Sequence, residues 1–352
     1  TNNMAYTTIN KSTDYFNTVL YTGNGGTQSI TGVGHQTDFI WVKVRDGATN
    51  YYHYLQDTVR GTQKILYSNN GDGEATITAG INTVGSDGWT TGSQGALNDN
   101  GDNYVAWNWK AGTTGSGTTT GSGTGKAYSY SVNTTSGFSI IKYQGNGTAG
   151  HTIPHHLGAT PHFIIVKNLD STTHWECYHK DIPSANTRAI GLSESDYWNT
   201  DNSWWNNTSP DSTVFTVGTS TSMNGDGTNY IAYCFTSKVG YSSFGMYTSN
   251  GNSDGPFNYT GFKPSFVLIK NSSASALWML YDSQRDVNPN SKSLMPNVNN
   301  QEDVNAENMD FLSNGFKCRG TGVKMNTGSN EFIYIAFGQP LVGSNNVPVT
   351  AR

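Results

Sequence analysis

The sequence predicts an all-β protein made of three tandem antiparallel β-sandwich repeats, jelly-roll-like in type. Three observations predict it. A set of five short motifs occurs three times in one order, the mark of a repeat architecture. Apolar runs are short, either alternating with period two or continuous, and turn residues separate them about every 8–12 positions. The composition suits strands and turns, with 12% aromatic residues, 41 glycines and only six glutamates among 352 residues. Aromatic and β-branched side chains fit a pleated surface, while Gly, Asn and Asp supply the backbone conformations of hairpin turns.

Each repeat opens on a strand that runs into a tight turn: Tyr21-Thr-Gly-Asn-Gly25, Tyr143-Gln-Gly-Asn-Gly147 and Tyr247-Thr-Ser-Asn-Gly251. An apolar strand ending in lysine follows, as Asp38-Phe-Ile-Trp-Val-Lys43, His162-Phe-Ile-Ile-Val-Lys167 and Ser265-Phe-Val-Leu-Ile-Lys270. Next come His53-Tyr-Leu-Gln-Asp57, Trp175-Glu-Cys-Tyr-His179 and Trp278-Met-Leu-Tyr-Asp282. Turn-strand elements Ser86-Asp-Gly-Trp89, Ser212-Thr-Val-Phe215 and Ser313-Asn-Gly-Phe316 precede closing strands Tyr104-Val-Ala-Trp107, Tyr230-Ile-Ala-Tyr233 and Tyr334-Ile-Ala-Phe337. In the first closing strand, Tyr104, Ala106 and Asn108 point one way and Val105, Trp107 and Trp109 the other.

These landmarks divide the chain into an arm (1–17), a first repeat (18–110), a linker (111–136), a second repeat (137–239), a third repeat (240–341) and a tail (342–352). Residues 111–125 are almost wholly Gly, Thr and Ser, a composition that reads as a flexible spacer. On this reading the first repeat is displaced or mobile, the second and third pack directly, and the arm anchors the protein to a neighbour.

Charge and composition exclude several classes. The net charge of -5, from 25 acidic and 20 basic residues without a basic run, gives no footprint for nucleic acid. No stretch approaches the ~18 apolar residues of a membrane span, so no membrane insertion is expected. Three cysteines, Cys177, Cys234 and Cys318, form no disulfide framework and suit synthesis in a reducing cytoplasm.

The segment Ser193–Asn207 carries the most suggestive side chains. Trp198, Trp204 and Trp205 with Asp201 and Asn206 have the makings of a glycan site, with indole faces for the apolar side of a sugar and polar groups for its hydroxyls. The alternative is that these tryptophans fill the contact between repeats. Glu194, Asp196 and Asp201 have the residue types for the acid and nucleophile of a glycan depolymerase, but no nucleophile motif accompanies them and the other repeats have nothing equivalent. The expectation is therefore a protein that is not an enzyme.

Other constellations have simpler readings. Six of eight histidines fall in the second repeat, but without convergent ligand spacing, so neither metal nor any other cofactor is expected. Asn70-Gly-Asp-Gly73 and Asn224-Gly-Asp-Gly227 lack the carboxylates of a calcium loop and read as turns. Gly121-Ser-Gly-Thr-Gly-Lys126 lacks both the first glycine and the final hydroxyl of a phosphate loop. Asp57 with Arg60, and Asp282 with Arg285, read as ion pairs within a repeat.

With the repeats laid out, the chain resembles tandem-repeat tail-fibre-like and other virion structural proteins of marine bacteriophages. The resemblance rests on Asn10-Lys-Ser-Thr-Asp-Tyr-Phe-Asn-Thr18, Tyr230-Ile-Ala-Tyr-Cys-Phe235, Gly240-Tyr-Ser-Ser-Phe-Gly245 and Asp254-Gly-Pro-Phe257. It implies a virion protein assembled in the host bacterial cytoplasm, with other virion proteins as partners. A tail-fibre-like or surface appendage would bind a host surface glycan or receptor; a capsid decoration protein would bind no host ligand. By the same analogy such proteins form homo-oligomers, trimers in particular.

Overall fold

Turn residues cut the chain into short strands, and the strands pair antiparallel throughout. The structure is a computed structural model that describes residues 6–286 and 288–342. The first five residues of the arm and the tail beyond 342 lie outside the described residues. In the first unit the elements are β1 (Phe16–Thr22), β2 (Gln28–Thr31), β3 (Phe39–Asp46), β4 (Tyr54–Asp57), β5 (Lys64–Tyr67), β6 (Ala75–Thr76), β7 (Ile81–Gly85), β8 (Gly88–Thr91), the helical turn α1 (Gly95–Asn98) and β9 (Asn103–Trp109). The second has β10 (Thr113–Thr118), β11 (Thr120–Gly121), β12 (Ala127–Asn133), β13 (Phe138–Gln144), β14 (His151–Pro154), β15 (Phe163–Asn168), β16 (Glu176–His179), β17 (Arg188–Gly191), β18 (Asn199–Thr200), α2 (Asn202–Trp205), β19 (Val214–Val217) and β20 (Asn229–Phe235). The third has β21 (Ser242–Thr248), β22 (Phe257–Tyr259), β23 (Phe262–Asn271), β24 (Met279–Asp282), β25 (Asn290–Ser293), β26 (Asp303–Leu312), β27 (Gly315–Cys318) and β28 (Glu331–Pro340).

The same strand order appears in each unit: β1-β9-β3-β4, then β13-β20-β15-β16, then β21-β28-β23-β24. The opening strand lies beside the closing one, and their register places Tyr21 opposite Tyr104, Tyr143 opposite Tyr230 and Tyr247 opposite Phe332. Rings stack at 5.1, 5.2 and 5.1 Å in these pairs. The partner of Tyr104 in the third unit is therefore Phe332, two residues before the Tyr334 that the motif comparison selects. A two-residue offset keeps every side chain on its face, so the sequence pattern does not reveal it.

A buried asparagine fixes each turn after the opening strand. Asn98, Asn224 and Asn326 are wholly buried. Each accepts a hydrogen bond from the backbone N–H of the turn residue Asn24, Asn146 or Asn250, at 2.8, 3.0 and 2.9 Å. Each side-chain amide also donates to the carbonyl of Gly92, Gly218 or Gly320.

Residues of the large sheets alternate between two cores. Tyr104, Ala106, Val42 and Tyr54 pack within the first unit against Ile30, Ile81 and Trp89 of its small sheet β2-β8-β7. Val105, Trp107, Trp109, Phe39, Trp41 and Leu66 face the opposite way, into a core shared by all three units. At its centre the equivalent residues Trp109, Phe235 and Phe337 meet, with ring centroids 5.8 Å apart for Trp109–Phe337 and 5.9 Å for Phe235–Phe337. Burial on both faces explains why β3, β15 and β23 read as continuous apolar runs.

Hydrogen bonds join the units in a closed cycle. The indole N–H of Trp175, at the start of the third motif, donates to Tyr67 O of the first unit at 2.9 Å. Trp278 donates likewise from the third unit to Gly191 O of the second, also at 2.9 Å. His53 closes the circuit. Its Nδ1 accepts from Trp41 at 2.9 Å, which leaves the proton on Nε2 to be donated to Met295 O of the third unit at 3.1 Å. The closing strands repeat two of its three links, since Tyr233 Oη donates to Asp57 at 2.7 Å and Trp107 Nε1 to Asp282 at 3.0 Å. The strand-ending lysines are buried, and two span the same seams: Lys43 Nζ reaches Tyr51 O and Asn299 O, and Lys270 Nζ reaches Ser195 O and Ala276 O.

Three expectations are corrected by this arrangement. The first unit is neither displaced nor mobile, because it is bonded to both others. The segment read as a flexible linker instead forms three strands, of which β10 and β12 extend the second large sheet in the order β10-β12-β13. Gly115 and Gly117 lie opposite Tyr130 and Tyr128 in this pair, and the tyrosine rings cover the space a side chain would have filled. Large aromatic rings across from strand glycines restore the packing that glycine lacks. The described part of the arm is held by the chain itself, with Tyr6 Oη donating to Gly261 O, Ile9 buried and Ser12 bonded to Gln339.

The Asp57–Arg60 and Asp282–Arg285 pairs form within their units, each at 2.5 Å with both side chains fully buried. Glu74 and Glu302 extend them at 3.4 Å. At the corresponding positions the second unit has His179 and Ile182.

Candidate functional site

The second unit departs from the other two between β17 and the small-sheet strand β19. In the first and third units this stretch supplies the third strand of the small sheet, β7 beside β8 and β26 beside β27. In the second it forms β18 and the helical turn α2, while β11 from the former linker adds to the other side of the small sheet, giving β11-β14-β19. The tryptophan-bearing turn thus stands where its counterparts have a strand.

The five residues singled out from the sequence separate into different roles. Trp205 is wholly buried, donates from Nε1 to Arg188 O at 2.9 Å and packs edge-on to Tyr178 and Phe215. Trp198 is half-buried, with the Arg188 guanidinium 3.5 Å above its ring centroid. Asp201 caps α2 by accepting from Ser203 N at 2.7 Å, a standard N-cap contact. Asn206 ends α2 at φ 52°, a left-handed conformation that asparagine tolerates better than most residues. Of the five, Trp204 lines a pocket.

That pocket has a volume of about 120 Å³ and is lined by His174, Glu176, Glu194, Asp196, Asn199 and Trp204, with Ala189 and Gly191 beneath. Its Glu194–Asp196 wall is held from the neighbouring unit. Asn297 donates to Glu194 O at 3.2 Å, Lys270 to Ser195 O at 2.6 Å, and Ser275 to the Asp196 carboxylate at 3.1 Å. The seam between units thereby positions the pocket's acidic side chains.

Glu176 is only 6% exposed, and burial raises its carboxyl pKa, against a hydrogen bond from Ser222 that lowers it. His174 Nδ1 lies 2.5 Å from Glu194 Oε1 at the mouth. The carboxylates considered for hydrolysis separate here as well, with Glu194 and Asp196 at the pocket and Asp201 spent on the helix cap. Glu176 and Asn199 escape sequence reasoning because neither belongs to a motif that marks binding; β16 and β18 bring them to Trp204.

The remaining histidines serve the fold. His151 joins Thr119 Oγ1 and Asn224 Oδ1 at 2.6 and 2.9 Å, and the His156 ring stacks on Tyr130 at 3.7 Å between centroids. Among the described residues no group of three His, Cys, Asp or Glu side chains is placed to hold a metal ion. Lys126, at the end of the glycine-rich run, pairs with Asp226 at 2.8 Å.

Burial lowers the pKa of His155 and of His179 to about 4. Between about pH 6.5 and 4 the unfolded chain therefore binds protons that the native one does not, so stability falls as the pH drops through that window. Each group is expected to remove about 3 kcal/mol by pH 4. Urea unfolding midpoints measured from pH 7 to 4 check this.

No curated protein matches the chain at a significant level. A family described as a domain of unknown function, DUF7483, matches residues 11–340, a span that begins before β1, ends with β28 and takes in all three units as one domain. The chain belongs to the DUF7483 family.

Proposed function

We propose that this chain is a rigid, non-catalytic component of a bacteriophage particle, tail-fibre-like in role, which binds a host surface glycan in the pocket of its second unit. The observation that carries the binding reading is the pocket itself. An indole face, an asparagine and carboxylates converge there, and the other two units have strands in place of the turn that builds it. An apolar platform with a few placed polar groups is what sugar recognition requires. The virion setting is supported by the resemblance of the opening and closing motifs to phage structural proteins. Rigidity is supported by the shared core and the closed cycle of hydrogen bonds. The threefold arrangement that the analogy expects from three chains is supplied within one, so binding by a single copy is the simplest form of this reading.

Trp204→Ala is expected to weaken binding of the labelled protein to host cells roughly tenfold, since losing one aromatic platform costs about 1.5 kcal/mol. Trp198→Ala, which removes a ring already covered by Arg188, is expected to have a smaller effect. Equal binding by wild type and Trp204→Ala would remove the pocket from the proposal. Protein that binds no host cell and is found on heads by labelled antibody would favour a capsid decoration role.

A further inference from the structure

Resting on the reading of this pocket as a glycan site, we infer that its ligand carries a positively charged amine, as a non-acetylated amino sugar does, and is neither a neutral nor an acidic sugar. Three lining side chains are carboxylic acids, Glu176, Glu194 and Asp196, and the one lining group able to carry positive charge, His174, is turned to Glu194. The nearby cations Lys167, Lys270 and Arg188 are held by other groups, Lys167 on Asn168 O and Ser171 O. Lys270 lies behind the wall on Ser195 O and Ala276 O, and Arg188 is bonded to Pro183 O and covers Trp198. An acidic sugar entering this space meets carboxylates, with no lysine or arginine among the described residues that line it.

Glu176 favours the same ligand. It lines the pocket at 6% exposure, with a hydrogen bond from Ser222 and the charge of His174 acting on it through space, yet forms no ion pair among the described residues. A buried carboxyl is stabilised in its charged form by an opposite charge within about 4–6 Å, and a ligand ammonium in the pocket would be such a charge. Trp204 adds to this selectivity, because an indole face attracts a cation as well as the apolar face of a sugar ring.

Isothermal titration of the full chain with three tetrasaccharides tests the inference: glucosamine, N-acetylglucosamine and galacturonic acid oligomers at pH 6. The glucosamine oligomer is expected to bind at least about tenfold more tightly than the other two, with the advantage shrinking as salt is raised. Glu176→Gln is expected to remove most of that advantage, its folding verified by circular dichroism. Equal or tighter binding of the acetylated or acidic oligomer by the wild-type protein would overturn the amine preference while leaving a glycan site in place. Failure of folded wild-type protein to bind any of the three would count against the glycan reading itself. A retained preference in folded Glu176→Gln would overturn the role given to that residue.

Discussion

Asp282→Ala is expected to lower the unfolding free energy by roughly 3–5 kcal/mol, the range for breaking a buried ion pair by removing one partner. Asp282 Oδ2 receives the Arg285 guanidinium at 2.5 Å and the Trp107 indole N–H at 3.0 Å, and Oδ1 accepts from the backbone N–H of Arg285 at 3.0 Å. Without it Arg285 retains Leu280 O at 2.9 Å and Glu302 at 3.4 Å, so a fully buried cation is left with one distant carboxylate. An indole donor of the first unit is orphaned at the same time. Asp57→Ala, which strips Arg60 and the Tyr233 hydroxyl of their partner, is expected to cost a similar amount. Urea unfolding midpoints read both values. A loss below about 1 kcal/mol would show that the pair is hydrated in solution.

Trp107→Ala is expected to cost about 3–5 kcal/mol, as for other buried aromatic truncations. Its ring is wholly buried, edge-on to Trp41 at 5.9 Å and to Phe266 of the third unit at 6.1 Å. The cavity opens in the shared core, at the seam between units remote in sequence. Combined with Asp282→Ala, the loss is expected to fall short of the sum of the two single losses by about 0.5–3 kcal/mol, because each change removes the same indole–carboxylate bond. Additive losses would mean that the two units do not meet there in solution.

Much of the fold was legible in the sequence, for reasons that also mark the limit. Five motifs in one order announce three related units, and period-two alternation in 103–109 separates the two faces of a closing strand. The cycle that joins the units is not legible, because its donors are chemically unlike: His53 stands where the other units have Trp175 and Trp278, and Asp57 and Asp282 correspond to His179. A comparison that looks for identical residues passes over positions that share a geometry only. The strands at 113–118 and 127–133 were hidden for a different reason. A run of Gly, Ser and Thr has the composition of a spacer, and the tyrosines that make it a strand lie 11–15 residues further on.

The site was legible in part. The tryptophans and acids between 193 and 207 drew attention to the segment that supplies Glu194, Asp196, Asn199 and Trp204 to the pocket. Their division of labour depends on how α2 turns, sending Trp205 into the core and Trp204 to the pocket, and one residue of phase decides between those fates. Glu176 gave no signal, since a glutamate in a strand motif is indistinguishable from a surface residue until its burial is known.

The three units share one core and are expected to fold as one body. Differential scanning calorimetry of the full chain tests it most directly. A single transition whose calorimetric enthalpy matches its van't Hoff enthalpy is predicted, with Trp107→Ala lowering the temperature of the whole transition. Two or three resolved transitions, with Trp107→Ala shifting only one, would contradict it.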